Sequence, residues 1–264
     1  MKTVLSTLMF EVKDLGLAIE YAEKLGVLLE IFPMWHDEIF VRFMEENKEK
    51  LKEITYSFHE PYFFSDHSFP ADSPEYQTTM EMCRRTFEWA RELGAKHMVF
   101  HHNNRKVTPE NKRELIENGF VGLAQMNEWA KEYGVPVLFE NTGVLARQNM
   151  LFDEDEFIQI IQVIENQCLF DVGHAYANGW NIERVITTLQ DKIEVYHLND
   201  NDGTDDQHQI FGKGEIDLNA FKKIARELTP NAVMLLEHTE DLGITMDDIQ
   251  KEIKFLSAPV LANV

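Results

Sequence analysis

Short apolar runs alternate with longer amphipathic segments from one end of the chain to the other. The runs cover residues 4–10, 27–32, 54–58, 97–100, 135–139, 167–170, 193–196 and 232–236. Most are rich in Val, Ile, Leu or Phe, as expected of strands buried on both faces. The segments between them carry helical spacing. Residues 75–93 set Met82, Phe87, Trp89, Ala90 and Leu93 among charges, and residues 109–133 do the same with Leu115, Phe120, Leu123, Met126 and Trp129. Residues 153–165 carry Phe157, Ile160, Ile161 and Ile164, and 182–189, 218–228 and 246–256 continue the pattern. Gly94, Gly134 and Pro230 fall where a helix must stop before the next strand. Thr108-Pro109-Glu110-Asn111 and Thr245-Met246-Asp247-Asp248 read as helix starts, with a capping hydroxyl and early acids.

Eight such alternations predict a single (β/α)8 TIM barrel domain over residues 1–264. No linker rich in Gly, Ser or Pro divides the chain, and no short repeat or low-complexity tract interrupts it. A doubly wound open sheet is the alternative, weakened by the absence of GxGxxG after the first strand.

Composition narrows the partners. The 264 residues carry a formal net charge of -21, and the basic residues are scattered among acidic ones. Such a chain repels phosphate backbones, so nucleic acid is a poor partner. Cys83 and Cys168 read as isolated, reduced packing residues. Residues 1–10 read as a first strand and not a signal peptide, and no run reaches the length of a membrane span, so a cytoplasmic location is expected.

In a barrel of this kind the chemistry lies at the carboxyl ends of the strands. Strand three ends Phe58-His59-Glu60, strand four Phe100-His101-His102, strand five Phe139-Glu140-Asn141, strand six Phe170-Asp171-Val172-Gly173-His174, strand seven at His197, and strand eight Leu236-Glu237-His238. Six consecutive strands finish in His, Asp or Glu, which isolated structural histidines do not explain. Glu140, Asp171, His197 and Glu237 would converge on the barrel axis, where three carboxylates repel unless a divalent cation joins them. His59, His101 or His102, His174, Asp206 and His208 surround them as further ligands or substrate contacts. The carboxylate-rich inner set favours Mn2+, with Mg2+, Co2+ and Zn2+ as alternatives; the whole set would favour zinc and more than one ion. Trp35 and Trp180 follow strands two and six and are candidates for stacking on a sugar ring, with loop packing as the competing role. Arg105, Lys106, Arg147 and Lys213 are candidates for holding a phosphate, with solvated charge as the competing role.

The ordered set His59-Glu60-Pro61-Tyr62, Glu140-Asn141-Thr142, Asp171-Val172-Gly173-His174, His197-Leu198-Asn199-Asp200 and His208 before Gly212-Lys213-Gly214 resembles the xylose-isomerase-like barrel superfamily over nearly the whole chain. That group holds sugar isomerases and epimerases, inositol-catabolism enzymes and type IV apurinic endonucleases. The resemblance implies a divalent-metal-dependent sugar or sugar-phosphate isomerase or epimerase. Glu140, Asp171, His197 and Glu237 would hold the metal and His174 would contact substrate. Glu140 and Glu237 would also transfer the proton through a metal-stabilised enediolate. The alternative it implies is a multinuclear phosphodiester hydrolase of the endonuclease kind, whose pattern His59, His101, Glu140, Asp171, His174, His197, Asp206, His208 and Glu237 fill. The chain departs from the epimerase pattern after Glu140, where it reads Asn-Thr-Gly-Val-Leu-Ala-Arg and offers no second substrate-contacting glutamate. The expected ligand is a small sugar or sugar phosphate; homo-oligomer formation is left open by the sequence.

Overall fold

Strands with two buried faces need helices on one side and a filled interior on the other, and the chain satisfies both by closing its sheet. A computed structural model describes residues 2–259. Eight parallel strands follow one another around a closed barrel: β1 (Thr3–Ser6), β2 (Leu28–Ile31), β3 (Thr55–Phe58), β4 (Met98–Phe100), β5 (Val137–Glu140), β6 (Gln167–Asp171), β7 (Ile193–Leu198) and β8 (Val233–Leu236), with β1 pairing β8. The helices, in chain order, are α1 (Gly16–Leu25), α2 (Glu38–Glu46), α3 (Lys48–Ile54), α4 (Pro74–Leu93), α5 (Lys112–Tyr133), α6 (Glu154–Val163), α7 (Val172–Ala177), α8 (Ile182–Leu189), α9 (Leu218–Leu228) and α10 (Met246–Ser257). The expected (β/α)8 barrel is therefore the observed architecture.

Period two along the strands separates two cores. Val4, Val99, Leu138, Leu169, Val195, Val233 and Leu235 fill the barrel interior. Their neighbours Leu5, Phe100, Phe139, Phe170, Tyr196 and Leu236 point outward into the layer shared with the helices. Two register shifts break this alternation. On β3, Leu29 pairs with Thr55 but Glu30 pairs with Ser57, which leaves Tyr56 as an extra residue. On β7, Cys168 pairs with Ile193 but Leu169 pairs with Val195, which leaves Glu194 extra. Each bulge changes which side chains the rest of its strand sends inward.

Helix boundaries follow local chemistry. Gly94 and Gly134 end α4 and α5 in the left-handed region, at φ 72° and 71°, where a Cβ would be strained. Asp153 with Glu156, and Thr245 with Asp248, form capping boxes on α6 and α10. The helix expected to start at Thr108-Pro109 instead starts at Lys112. The Thr108 N–H donates to Asn111 Oδ1 at 2.7 Å and Asn111 N–H to Thr108 Oγ1 at 3.4 Å, so these residues close a turn ahead of the helix. Cys83 and Cys168 are free and buried. Among the described residues no helix is long and apolar enough to cross a membrane.

Candidate active site

The same period that fills the interior with Val and Leu delivers the polar groups above it. Two residues after Leu138 comes Glu140, after Leu169 Asp171, after Val195 His197, after Leu235 Glu237 and after Val99 His101. Each therefore points along the axis on top of an apolar floor. Asp171 and His197 are fully buried, and Glu140 and Glu237 nearly so. His197 Nδ1 lies 3.3 Å from Glu237 Oε2, 3.5 Å from Glu140 Oε1 and 3.9 Å from Asp171 Oδ2. Glu140 Oε1, Asp171 Oδ2 and His197 Nδ1 are buried without a hydrogen-bond partner. Unpaired lone pairs at such spacing are costly in a protein interior, and a divalent cation among them would remove the cost. The donor set of three carboxylates and one imidazole suits that role.

Two triads flank this centre. His101 Nε2 bonds Glu140 Oε2 at 2.9 Å, with His59 Nε2 at 3.9 Å from the same oxygen. On the other side His208 Nε2 bonds Asp206 Oδ2 at 2.9 Å and His174 Nε2 lies 3.4 Å from it. Ligand atoms within each triad lie no more than 4.8 Å apart. Asp171 does double duty: its Oδ1 accepts from the His174 N–H at 2.6 Å and caps α7, which aims the His174 ring across the centre.

Burial opposes charge on all of these groups, and their mutual attraction decides the outcome. In the metal-free protein burial works to lower His174, yet Asp171 and Asp206 hold it well above its ordinary value. Burial is likewise outweighed at His197 by Glu237, Glu140 and Glu30, and at His208 by Asp206 and Glu237, which raise it to about 9. Glu237 is drawn down to about 2 against burial, first by His197. Asp171 goes the other way. Burial, and then Glu140, Asp206 and Glu237, push it up to about 6 although His174 resists. Protons thus hold together carboxylates that a cation would otherwise bridge.

A cavity of about 540 Å³ opens above, with Glu140, Glu237, His59, His101, His174 and His208 on its polar side. Leu8, Phe32, Tyr62, Phe63, Val144 and Leu242 form an apolar wall. Arg147 also lines it, but its guanidinium is engaged by Asp205 Oδ1 at 2.9 Å, Asp206 Oδ2 at 3.2 Å and the Asp206 carbonyl. Arg105, Lys106 and Lys213, the other candidate phosphate holders, do not line the cavity.

Strand parity separates His101 from His102. His102 continues the outward face of Phe100, packs among Phe100, Phe120, Phe139 and Phe152, and bonds the Ile116 carbonyl at 3.0 Å. Neither tryptophan reaches the cavity. Trp35 is buried against Phe40 and Trp89, and its Nε1–H donates to Thr86 Oγ1 at 2.7 Å. Trp180 packs on Phe157 in the helical layer. Both loops fold back over the outside of the barrel, so the stacking role expected of these residues is corrected to packing. One buried acid was not anticipated. Glu30 lies inside the barrel at the middle of an apolar run, and its signal was a carboxylate two residues after the inward-facing Leu28.

The chain is similar to known proteins over most of its length. An inosose isomerase of Bacillus velezensis is 25% identical over 251 residues, covering 86% of this chain and 88% of that protein. A probable endonuclease 4 of Natranaerobius thermophilus is 27% identical over 230 residues, 77% of this chain and 76% of that protein. Among solved structures, a D-tagatose 3-epimerase-like protein superposes with a TM-score of 0.75 at 22% identity, covering 96% of this chain and 95% of that one. The IolI protein with a bound zinc atom superposes with a TM-score of 0.76 at 19% identity, covering 97% and 96%. Residues 11–258 match the model of one family, and the chain belongs to it: the xylose isomerase-like TIM barrels.

Proposed function

We propose that the chain is a divalent-metal-dependent sugar isomerase or epimerase. The observation that carries the proposal is the set of buried, unpartnered atoms Glu140 Oε1, Asp171 Oδ2 and His197 Nδ1, with Glu237 Oε2 beside them, two of whose residues, Glu140 and Glu237, line a cavity of sugar size. A cation held by these four residues supplies positive charge that polarises a carbonyl and offsets the charge left when a neighbouring C–H is deprotonated. Mn2+ suits three carboxylates best; Zn2+ fits the surrounding imidazoles, and Mg2+ or Co2+ are alternatives.

Glu140 and Glu237 are the proton-moving pair. β5 and β8 bring them to the cavity from either side of β6 and β7. One takes the proton from the carbon beside the carbonyl, and the other returns it to the neighbouring carbon or the opposite face. His174, whose Nδ1 has no hydrogen-bond partner, presents a ring N–H to a substrate oxygen, and His208, held by Asp206 Oδ2 and the Glu237 carbonyl, shapes the cavity beside it. The apolar wall from Leu8 to Leu242 excludes water from the carbanion-like stage and seats the hydrocarbon edge of the sugar. With Arg147 already neutralised by two aspartates, the lining favours an uncharged sugar over a sugar phosphate.

A second reading has its own support. The triads His59/His101/Glu140 and His174/Asp206/His208 complete a set able to hold further ions, as a multinuclear phosphodiester hydrolase requires, and one relative is named as an endonuclease. The net charge of -21 and the engaged Arg147 weigh against a duplex ligand. Protein loaded separately with Mn2+, Zn2+, Mg2+ or Co2+ should exchange a substrate C–H for deuterium in D2O when offered ketoses or inososes. Glu237→Gln should abolish that exchange. Nicking of an abasic duplex without exchange in any sugar would reverse the ranking, and bound-metal analysis would then find more than one ion per chain.

A further inference from the structure

Below the four inner donors lies a carboxylate that neither the flanking triads nor the cavity uses. Glu30 is fully buried inside the barrel, on β2. Its Oε2 accepts a hydrogen bond from Ser57 Oγ at 2.8 Å. Its Oε1 has no hydrogen-bond partner and stands 3.3 Å from His197 Nε2, which has none either. The other nitrogen of that ring, Nδ1, is the one that faces Glu140, Asp171 and Glu237. Ser57 reaches Glu30 because of the β3 bulge. The extra residue Tyr56 packs with the interior cluster, and Phe58 packs with the outer layer, so the parity of the strand changes between them and Ser57 turns inward.

An isolated carboxylate in an apolar interior is expensive. The apolar residues of that interior layer are Val, Leu and Tyr, and the polar groups that meet Glu30 there are Ser57, His197 and, through its charge, the buried His97. The geometry points to a purpose for the acid. We infer, resting on the metal-centre reading above, that Glu30 is a positioning residue: anchored by Ser57, it takes the His197 Nε2–H and so fixes the tautomer whose Nδ1 lone pair faces the cation. A ligating imidazole commonly gives its second N–H to a carboxylate in this way, which orients the ring and makes the ligating nitrogen more basic. Ser57, Glu30 and His197 then form one line of side chains from β3 through β2 to β7.

Cobalt titration of the whole chain tests this without reference to turnover. Co2+ affinity is measured by competition with a chromophoric chelator, alongside the visible spectrum of the bound ion and the melting temperature of the metal-free protein. In Glu30→Met, which keeps bulk and removes the acceptor, Co2+ should bind about 10- to 100-fold more weakly, with a changed spectrum and no loss of metal-free stability. Glu30→Gln, which retains an oxygen toward His197, should recover much of the affinity. Ser57→Ala leaves the acid but frees it, and should weaken binding in the same direction by less. Nitrogen-15 shifts of His197 in the Zn2+-loaded, diamagnetic protein should report a ligated Nδ1 and a hydrogen-bonded Nε2–H in wild type, with the Nε2–H resonance displaced or exchange-broadened in Glu30→Met. Unchanged affinity in both Glu30→Met and Ser57→Ala overturns the inference, as does equal weakening by Met and Gln, which would indicate shape alone. Failure of the wild type to bind Co2+ would instead overturn the metal-centre reading.

Discussion

Asp171→Asn should stabilise the metal-free protein and, in the same molecule, erode what a metal adds. Asp171 is raised from 3.8 to about 6 by burial and by Glu140, Asp206 and Glu237, against the pull of His174. That displacement corresponds to about 3 kcal/mol disfavouring its charged form. The sign follows from proton binding. The folded chain holds this proton more tightly than the unfolded chain, so Asp171 costs nothing below about pH 4, its cost grows as pH rises to about 6, and the whole cost is present at neutral pH. Asparagine removes the charge and keeps the cap, because its Oδ1 still accepts the His174 N–H and Asn caps helices as well as Asp. For a chain of this size about 3 kcal/mol corresponds to a rise of roughly 6–10 °C, an upper bound. With metal present the balance shifts. A cation at a thousand times its dissociation constant stabilises by about 4 kcal/mol, and a hundredfold weaker variant retains only about 1.4 kcal/mol of that. Thermal melts near neutral pH, with chelator and with excess Mn2+ or Zn2+, read both quantities. Loss of stability in chelator, or an undiminished metal increment, would refute the charge-crowding account of the centre.

Three further outcomes follow from the same structure. Metal uptake near neutral pH should release protons and tighten as pH rises toward about 9, because His174, His197 and His208 are held protonated by their carboxylate neighbours, His208 to about 9; calorimetry giving the same heat in buffers of different ionisation enthalpy would exclude this. Gly119→Ala should destabilise by roughly 2–4 kcal/mol despite better helix propensity, since the new Cβ would sit 2.2 Å from His102 Cδ2 and displace a histidine that bonds Ile116. Gly16→Ala, with nothing within 4 Å, should not destabilise, and equal melting temperatures for the two variants would contradict the packing argument. Burial lowers His102 to about 3 and His97 to about 4, so the unfolded chain takes up these protons first and stability falls as pH drops from about 6.5 toward 4; His102→Gln should flatten that part of the urea-midpoint profile by about 1.4 kcal/mol per pH unit, and an unaltered slope would show His102 is not buried neutral.

The barrel and the inner donors were legible because they obey one rule, the period of two. Glu140, Asp171, His197 and Glu237 each stand two residues past an inward Leu or Val, and alternation alone sends them to the axis. The same rule would have chosen His101 over His102 once Val99 was read as inward. Where the rule stops, legibility stops. Trp35 and Trp180 sit in loops, which have no period, and their apolar rings were drawn to the helical layer by Phe40, Trp89 and Phe157. Glu30 is hidden in the sequence because β2 ends at Ile31 and places its acid one position before the strand end, inside an apolar run. The β3 bulge that aims Ser57 leaves no mark in hydrophobicity, since Tyr56 and Phe58 are both aromatic although one points inward and the other outward.

The apolar floor is as much part of the chemistry as the ligands above it. Val99, Leu138, Leu169, Val195 and Leu235 close the barrel beneath the carboxylates, so water cannot screen them from that side. In an exposed cluster, solvent and salt would weaken the mutual repulsion and leave each carboxylate near its ordinary acidity. Here Asp171 rises, first through burial and then through Glu140, Asp206 and Glu237, while Glu237 falls because His197 outweighs its burial. The same lack of screening strengthens the attraction of the carboxylates for whatever positive charge occupies the centre, the protonated imidazoles of His174, His197 and His208 or a divalent ion. Buried without the histidines, these acids would have to take up protons to avoid their mutual repulsion. Alternating ligand with Leu or Val along each strand keeps the donors close and poorly screened, so a polar substitution in the floor, such as Leu169→Ser, should weaken metal binding although it touches no ligand, and an unchanged affinity in chelator competition would contradict this.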